Sequence, residues 1–229
     1  MNKILMKIED KKHIEIVVQS EKLFVGSALY TYILTLHKKV SLVCKSTNIE
    51  RKYSFIPWFE KIKKSDTPSA DYSIELDISG ENLYNYFENN FIKINSKMAT
   101  ALYGALLNES NGFQNSSKIG ASFFNKIAQL IEYGADYKRC QKFIIEFQSL
   151  ALLRLKSIML NNMILVNNAT TVLFYISEND LKKTGADLED AKKVIREIFS
   201  LPYIENSILL DLDRENEVII ILNKEINFE

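Results

Sequence analysis

Three carboxylates carry most of the chemical promise of this chain: Glu21, Asp77 and Glu109. Carboxylate oxygens are hard ligands, and one or two of them can hold a Mg²⁺ that keeps most of its waters. Glu21 follows the apolar run HIEIVVQ (residues 13–19), and Asp77 closes ADYSIELD (70–77), so both stand at the ends of predicted strands. Glu109 lies in the polar turn NESNG (108–112), which an amphipathic helix with Met98, Ala101, Leu102, Ala105 and Leu106 on one face delivers to a surface. Gly26-Ser27 opens an apolar run over 28–36. A glycine-serine pair at a helix start can present backbone N–H groups to an anion, or can let the helix pack closely on a strand. The two histidines, His13 and His37, begin a predicted strand and end a predicted helix. Both are expected to be exposed and neither to be catalytic.

The elements that must position these groups alternate. Strands are predicted over 13–19, 40–44 and 70–77, with the helix 28–36 between the first two, a pattern that argues for a parallel sheet with crossover connections. Ligands of such sheets collect at the carboxyl ends of the strands. Helices are predicted over 117–133, stopped by Gly134, and from an Asp136 cap to about residue 160. The last seventy residues change character. Two β-rich stretches flank Asn167-Asn168, a helix spans 187–199, and 207–213 with 217–222 reads as a second hairpin. The expected organisation is an α/β domain over 1–135, a helical connector over 136–161, and a small, truncated α+β C-terminal lobe over 162–229.

Composition narrows the partners. Lys plus Arg and Asp plus Glu both number 29, so no overall field draws the chain onto nucleic acid or an anionic membrane. Lys61, Lys63 and Lys64 follow the aromatic pair Trp58-Phe59; the cluster could clamp a short single strand, but its plainer reading is a solvated face over a buried ring. Cys44 and Cys140 have no CxxC spacing and no adjacent histidine, as expected of a reducing cytoplasm rather than a disulfide framework or zinc site. The N-terminal stretch lacks an apolar signal core and no apolar run suffices for a membrane span, so the expected location is cytoplasmic, without membrane insertion. No GxSxG, Walker loop or HExxH sequence occurs.

The order of elements resembles the DHH phosphoesterase superfamily, in the branch of oligoribonucleases and phosphoadenosine-phosphate phosphatases. The resemblance rests on MATALYGALLNESNGF (98–113), VGSALYTYILTLHKKVSLVC (25–44), YSIELDIS (72–79), LIEYGADYKRCQKFIIEFQSLALLRL (130–155) and FYISENDLKKTGADLED (174–190), and so spans most of the chain. It implies a site where His and Asp ligands hold two metal ions that activate a water. The motif His-x-x-x-Asp-x-Asp, three residues before Gly-Ser, falls on Val17, Glu21 and Leu23. The next ligand, an aspartate at a strand end, falls on Asp77, and the aspartate of the Asp-Thr-Gly motif falls on Glu109. The Asp-His-His tripeptide has no counterpart, since only residues 78–97 separate Asp77 from Met98, and the glycine-rich loop of the C-terminal lobe is missing.

The resemblance thus implies a vestigial metal set of Glu21, Asp77 and Glu109, with Gly26 and Ser27 as an anion-binding remnant. The expected function is that of a catalytically inactive phosphoesterase-like protein, a pseudoenzyme acting as a binding, scaffold or regulatory subunit through protein contacts. The expected partner is a protein or a larger assembly, a homo-oligomer among them, and no cofactor is expected. Tyr84, Tyr86, Phe87 and Phe91 are candidates for an exposed contact surface, with core packing as the alternative, and 218–222 could be a pairing sheet edge. The alternative function is a Mn²⁺- or Mg²⁺-dependent phosphoesterase acting on short oligoribonucleotides or nucleotides, weak or completed by a partner; nucleotide binding without cleavage is a third reading.

Overall fold

The computed structural model describes residues 8–114 and 119–224. It divides into two compact units, 1–147 and 148–229. The division falls within the 136–161 stretch, whose first helix belongs to the N-terminal unit and whose second belongs to the C-terminal one.

The N-terminal unit is built on four parallel strands, β1 (His13–Val18), β2 (Lys39–Cys44), β3 (Ile62–Lys63) and β4 (Tyr72–Glu75), in the order β3-β2-β1-β4. The fold class is therefore α/β, as the alternating pattern implies. Two details differ from expectation. β3 has only two residues, too few to show a period-2 pattern. β4 ends at Glu75, which leaves Asp77 in the loop beyond it.

The chain adds β2 and β3 on one side of β1 and then places β4 on the other side, so the strand order reverses between β1 and β4. Crevices form at the carboxyl ends of strands flanking such a reversal.

Helix α1 (Leu23–Thr35) links β1 to β2 and packs on both. It starts five residues before the expected 28, because Leu23, Phe24 and Val25 continue its buried apolar run. Its glycine has a packing reason: a Cβ on Gly26 would lie 3.0 Å from Leu42 Cδ1 and 3.0 Å from Val18 Cγ1. A side chain there would require those side chains to give by a few tenths of an ångström.

Helix α2 (Gly80–Asn89) follows β4, and α3 (Ser96–Glu109) starts at Asn95, whose Oδ1 accepts the N–H groups of Lys97 and Met98. Such a cap satisfies backbone donors that the helix start leaves free. Residues 98–107 of α3 are all buried, so the helix is covered on every side rather than along one face. It packs against α1, α2, α4 (Ala121–Glu132) and α5 (Tyr137–Gln141). The expected start of α4 at Ser117 lies outside the described residues. Asp136 caps α5 as expected, accepting the Arg139 N–H at 3.1 Å.

In the C-terminal unit, α6 (Leu150–Asn161) leads into β5 (Ile164–Val166) and β6 (Thr171–Ile176), a hairpin whose turn holds Asn167, Asn168 and Ala169 at positive φ. Then come α7 (Glu178–Thr184), α8 (Leu188–Glu197), β7 (Asn206–Asp211) and β8 (Glu217–Asn223). β7 runs parallel to β6 because α7 and α8 supply the crossover, while β8 returns antiparallel. Leu152, Leu155 and Met159 of α6, with Ala191, Val194 and Ile195 of α8, bury one face of this sheet. Among the described residues no helix is long and apolar enough to cross a membrane, and both cysteines are free and buried.

Candidate functional site

The carboxyl ends of the neighbouring strands β1 and β4 lead into two of the predicted site residues. Glu21 and Lys22 belong to the 3₁₀ turn Ser20–Lys22 that follows β1, and Asp77 stands two residues past β4. What reaches Asp77 is a cation: Lys22 Nζ lies 3.8 Å from its Oδ1, with the Asp77 side chain 96% exposed. A second pair repeats the arrangement along the same strand ends, Lys45 Nζ lying 3.9 Å from Glu75 Oε1. Glu109, the last residue of α3, turns toward the start of α2, where its two carboxylate oxygens accept the Gly80 N–H at 2.9 and 3.0 Å. A negative group there meets the unsatisfied donors and the positive dipole end of that helix.

This donor set does not suit a two-metal centre. Val17 and Leu23, which occupy the remaining motif positions, are apolar and buried, at 7% and 0% exposure. Two metals held close together require a convergent shell of several oxygen or imidazole ligands. Among the described residues no three His, Cys, Asp or Glu side chains gather in that way. Lys22, the positive neighbour of Asp77, was not singled out by sequence, although it lies between Glu21 and Leu23 in the motif frame.

Gly26 and Ser27 lie inside α1 rather than at its open end. By their place in the helix, their N–H groups fall in its hydrogen-bonded ladder. The Ser27 hydroxyl is buried and donates to the Pro57 carbonyl at 2.7 Å. The pair serves packing in this fold.

A buried polar cluster of the N-terminal unit lies elsewhere, on the sheet face opposite α1. His13 and Glu15 are both 4% exposed, which corrects the expectation of an exposed His13. The His13 ring bridges the Ser69 carbonyl, 2.9 Å from Nδ1, and the Ser41 hydroxyl, 2.9 Å from Nε2. Glu15 accepts the Thr67 N–H through Oε1 and the Ser73 hydroxyl at 3.3 Å through Oε2. Asp71 accepts the N–H groups of His13 and Lys12 at 2.9 and 3.0 Å, and these bonds hold its carboxyl below the usual carboxylate range.

The cluster has a structural cause. Residues 64–71 must carry the chain from β3 at one edge to β4 beyond β1, a parallel crossover with too few residues for a helix. Side chains of β1 pin that short connection, with Ser41 of β2 bracing the His13 ring, and so set where β4 and Asp77 end up. Sequence held one clue, the period-2 alternation of His13 and Glu15 with Ile14 and Ile16.

The aromatic and basic candidates resolve differently. Tyr84 and Phe87 are core residues, whereas Phe91 is 96% exposed. The Trp58 indole N–H donates to Thr31 Oγ1 at 3.0 Å, and its ring carries the Lys97 ammonium 3.9 Å from the centroid. Lys63 is engaged with Ser41 and Thr67 rather than arrayed with Lys61 and Lys64.

Comparison with known proteins places the fold. No family model matches the chain, and no curated protein matches it. A crystal structure of an exopolyphosphatase-related protein from Bacteroides fragilis aligns with a TM-score of 0.70 at 15% identity, covering 96% of this chain and 80% of that one. At that identity the likeness shows a shared fold alone. A protein of Methanococcus jannaschii assigned as a family II inorganic pyrophosphatase aligns at a TM-score of 0.34 and 10% identity over 94% of this chain and 89% of that one, too weakly to bear on the fold.

Proposed function

We propose that this chain is a catalytically inactive member of the phosphoesterase-like fold that acts as a binding or scaffold subunit through protein contacts. The observation that carries the reading is the Lys22 ammonium 3.8 Å from Asp77, at the strand-order reversal where a metal would have to sit. An ammonium supplies positive charge without the open coordination positions that polarise a phosphoryl oxygen or acidify a water. Glu109 on the Gly80 N–H and the buried Val17 and Leu23 support the same reading.

The test is turnover of di- to pentaribonucleotides and of nucleotide monophosphate substrates, with Mn²⁺ or Mg²⁺ in excess. No release of product above a blank is expected, and neither metal is expected to raise the thermal midpoint. Turnover that Asp77→Ala abolishes would overturn the reading in favour of a metal-dependent phosphoesterase.

A further inference from the structure

Arginine is scarce in this chain, which draws its positive charge mostly from lysine: of five arginines, only Arg51 and Arg139 fall within residues 1–147. Both stack on one pair of phenylalanines. The Arg51 guanidinium lies 5.3 Å from the Phe147 ring centroid and that of Arg139 lies 6.0 Å from the Phe143 centroid. The two rings are themselves stacked, 6.3 Å apart and 5° from parallel. Phe143 packs 5.0 Å from the buried Phe55, which ties the ladder to the core. A five-residue π-helical turn, Lys142–Glu146, carries Phe143 and leads directly into Phe147. Such turns are rare and recur at functional sites.

Stacking uses the flat face of a guanidinium and leaves its edge, with the N–H donors, for another group. Here that edge is unused. Arg51 and Arg139 are exposed, and among the described residues neither has a carboxylate within salt-bridge distance. Lys52, beside Arg51, is by contrast paired with Glu50 at 3.1 Å. A guanidinium already held against a ring has little freedom left to lose on binding.

We propose that this ladder docks an acidic, partly apolar segment of a protein partner, whose carboxylates take the forks of Arg51 and Arg139. The ring and cation spacings keep the two guanidiniums within reach of acids no more than about five residues apart in an extended peptide. Ile145, 44% exposed in the same turn, offers the segment an aliphatic contact. A single-stranded nucleic acid fits less well. Both rings already carry a cation and a neighbouring ring, which leaves a base little to stack on. Every nucleotide would also bring a phosphate past exposed Glu50 and Glu146, whereas a peptide can alternate its acids with apolar residues.

The proposal deepens the scaffold reading by naming a partner class. None of its residues belongs to the strand-end set, so its failure would leave the reading at Asp77 to be decided by turnover alone.

Fluorescence anisotropy tests it, with the full chain titrated into a fluorescein-labelled peptide of about ten glutamate, leucine and isoleucine residues. A Kd on the order of 10–100 µM is expected at about 0.1 M NaCl, weakening at least about threefold at 0.5 M. The same peptide with glutamine for glutamate should not bind. Arg51→Lys and Arg139→Lys keep the charge but lose the planar fork, and each should weaken binding about threefold to tenfold. Lys183→Gln, on α7 of the other unit, should leave it unchanged. Both arginine positions are exposed, so circular dichroism and the thermal midpoint of the variants should match the wild type. A wild type that does not bind the acidic peptide would overturn the proposal. So would equal binding by the two lysine variants, which bulk charge alone would give, or tighter binding of an oligouridylate of the same charge, which would make the ladder a nucleic-acid surface.

Discussion

The two sheets of this protein each have one face that helices cover, and they treat the other face in opposite ways. In the N-terminal sheet the second face is polar. His13, Glu15 and Ser41 are buried there; His13 and Glu15 bond to the crossover segment 64–71 and Ser41 braces the His13 ring, so the face is closed from within its own unit. In the C-terminal sheet the second face is apolar, half-exposed at Ile164 and Ile221 on the edge strands and buried at Leu210 on β7. A buried polar group costs heavily unless its partners are present, so the first solution fixes one conformation but leaves no surface for association. An apolar face costs little in the isolated unit and gains when something covers it. The contrast gives the N-terminal unit a second face held by hydrogen bonds and the C-terminal unit one held by apolar contacts alone.

The contrast is sharpest if the polar face is broken. Glu15→Ala removes the acceptor of the Thr67 N–H and of the Ser73 hydroxyl beneath a buried site, and should lower the stability of the N-terminal unit by about 1–3 kcal/mol. Trp58, the only tryptophan, lies in that unit, so urea unfolding followed by its fluorescence reads the loss directly. A loss below about 0.5 kcal/mol would mean that the cluster only decorates the sheet.

Acid should act on the same face and more gently, through exposed Asp71. The backbone N–H groups of His13, then of Lys12, favour its charged form and depress its pKa. In this pH range the folded chain therefore binds fewer protons than the unfolded one. The contribution is present above the unfolded value near 3.9 and is lost as pH falls through the lower folded value. The gap in urea midpoint between the wild type and Asp71→Asn should then be constant at neutral pH and narrow below about pH 4. A gap that does not change with pH would show that Asp71 acts through packing rather than charge.

How much of this was legible in sequence follows from what each signal depends on. Apolar runs and turn residues are local, so β1, β2, the Asn167-Asn168 hairpin and the Asp136 cap could all be read from the chain. The two-residue β3 has no periodicity to read, and only its partner Leu42-Val43 makes it a strand. His13 looked exposed because burial at a strand start depends on a crossover more than fifty residues away, which meets its ring at Ser69. At the candidate site, the positions of Glu21 and Asp77 at strand ends were legible. The engagement of Lys22 with Asp77 and of Glu109 with Gly80 was not, because each joins segments that only the folded topology brings together.

The smallest expected effect tests the apolar side of the contrast. Ile221→Thr exchanges an exposed aliphatic for a polar residue that keeps the β-branched shape strands favour. Its side chain turns away from the helix-covered core, where Leu209, Phe174 and Val172 are fully buried. If the outer face bears no load within the unit, the cost to the dilute chain should stay within about 0.5 kcal/mol. Circular dichroism and hydrogen exchange of β7 and β8 can measure it. A cost near that of Glu15→Ala would place Ile221 in an internal contact, and the two sheets would then be alike in closing both faces from within.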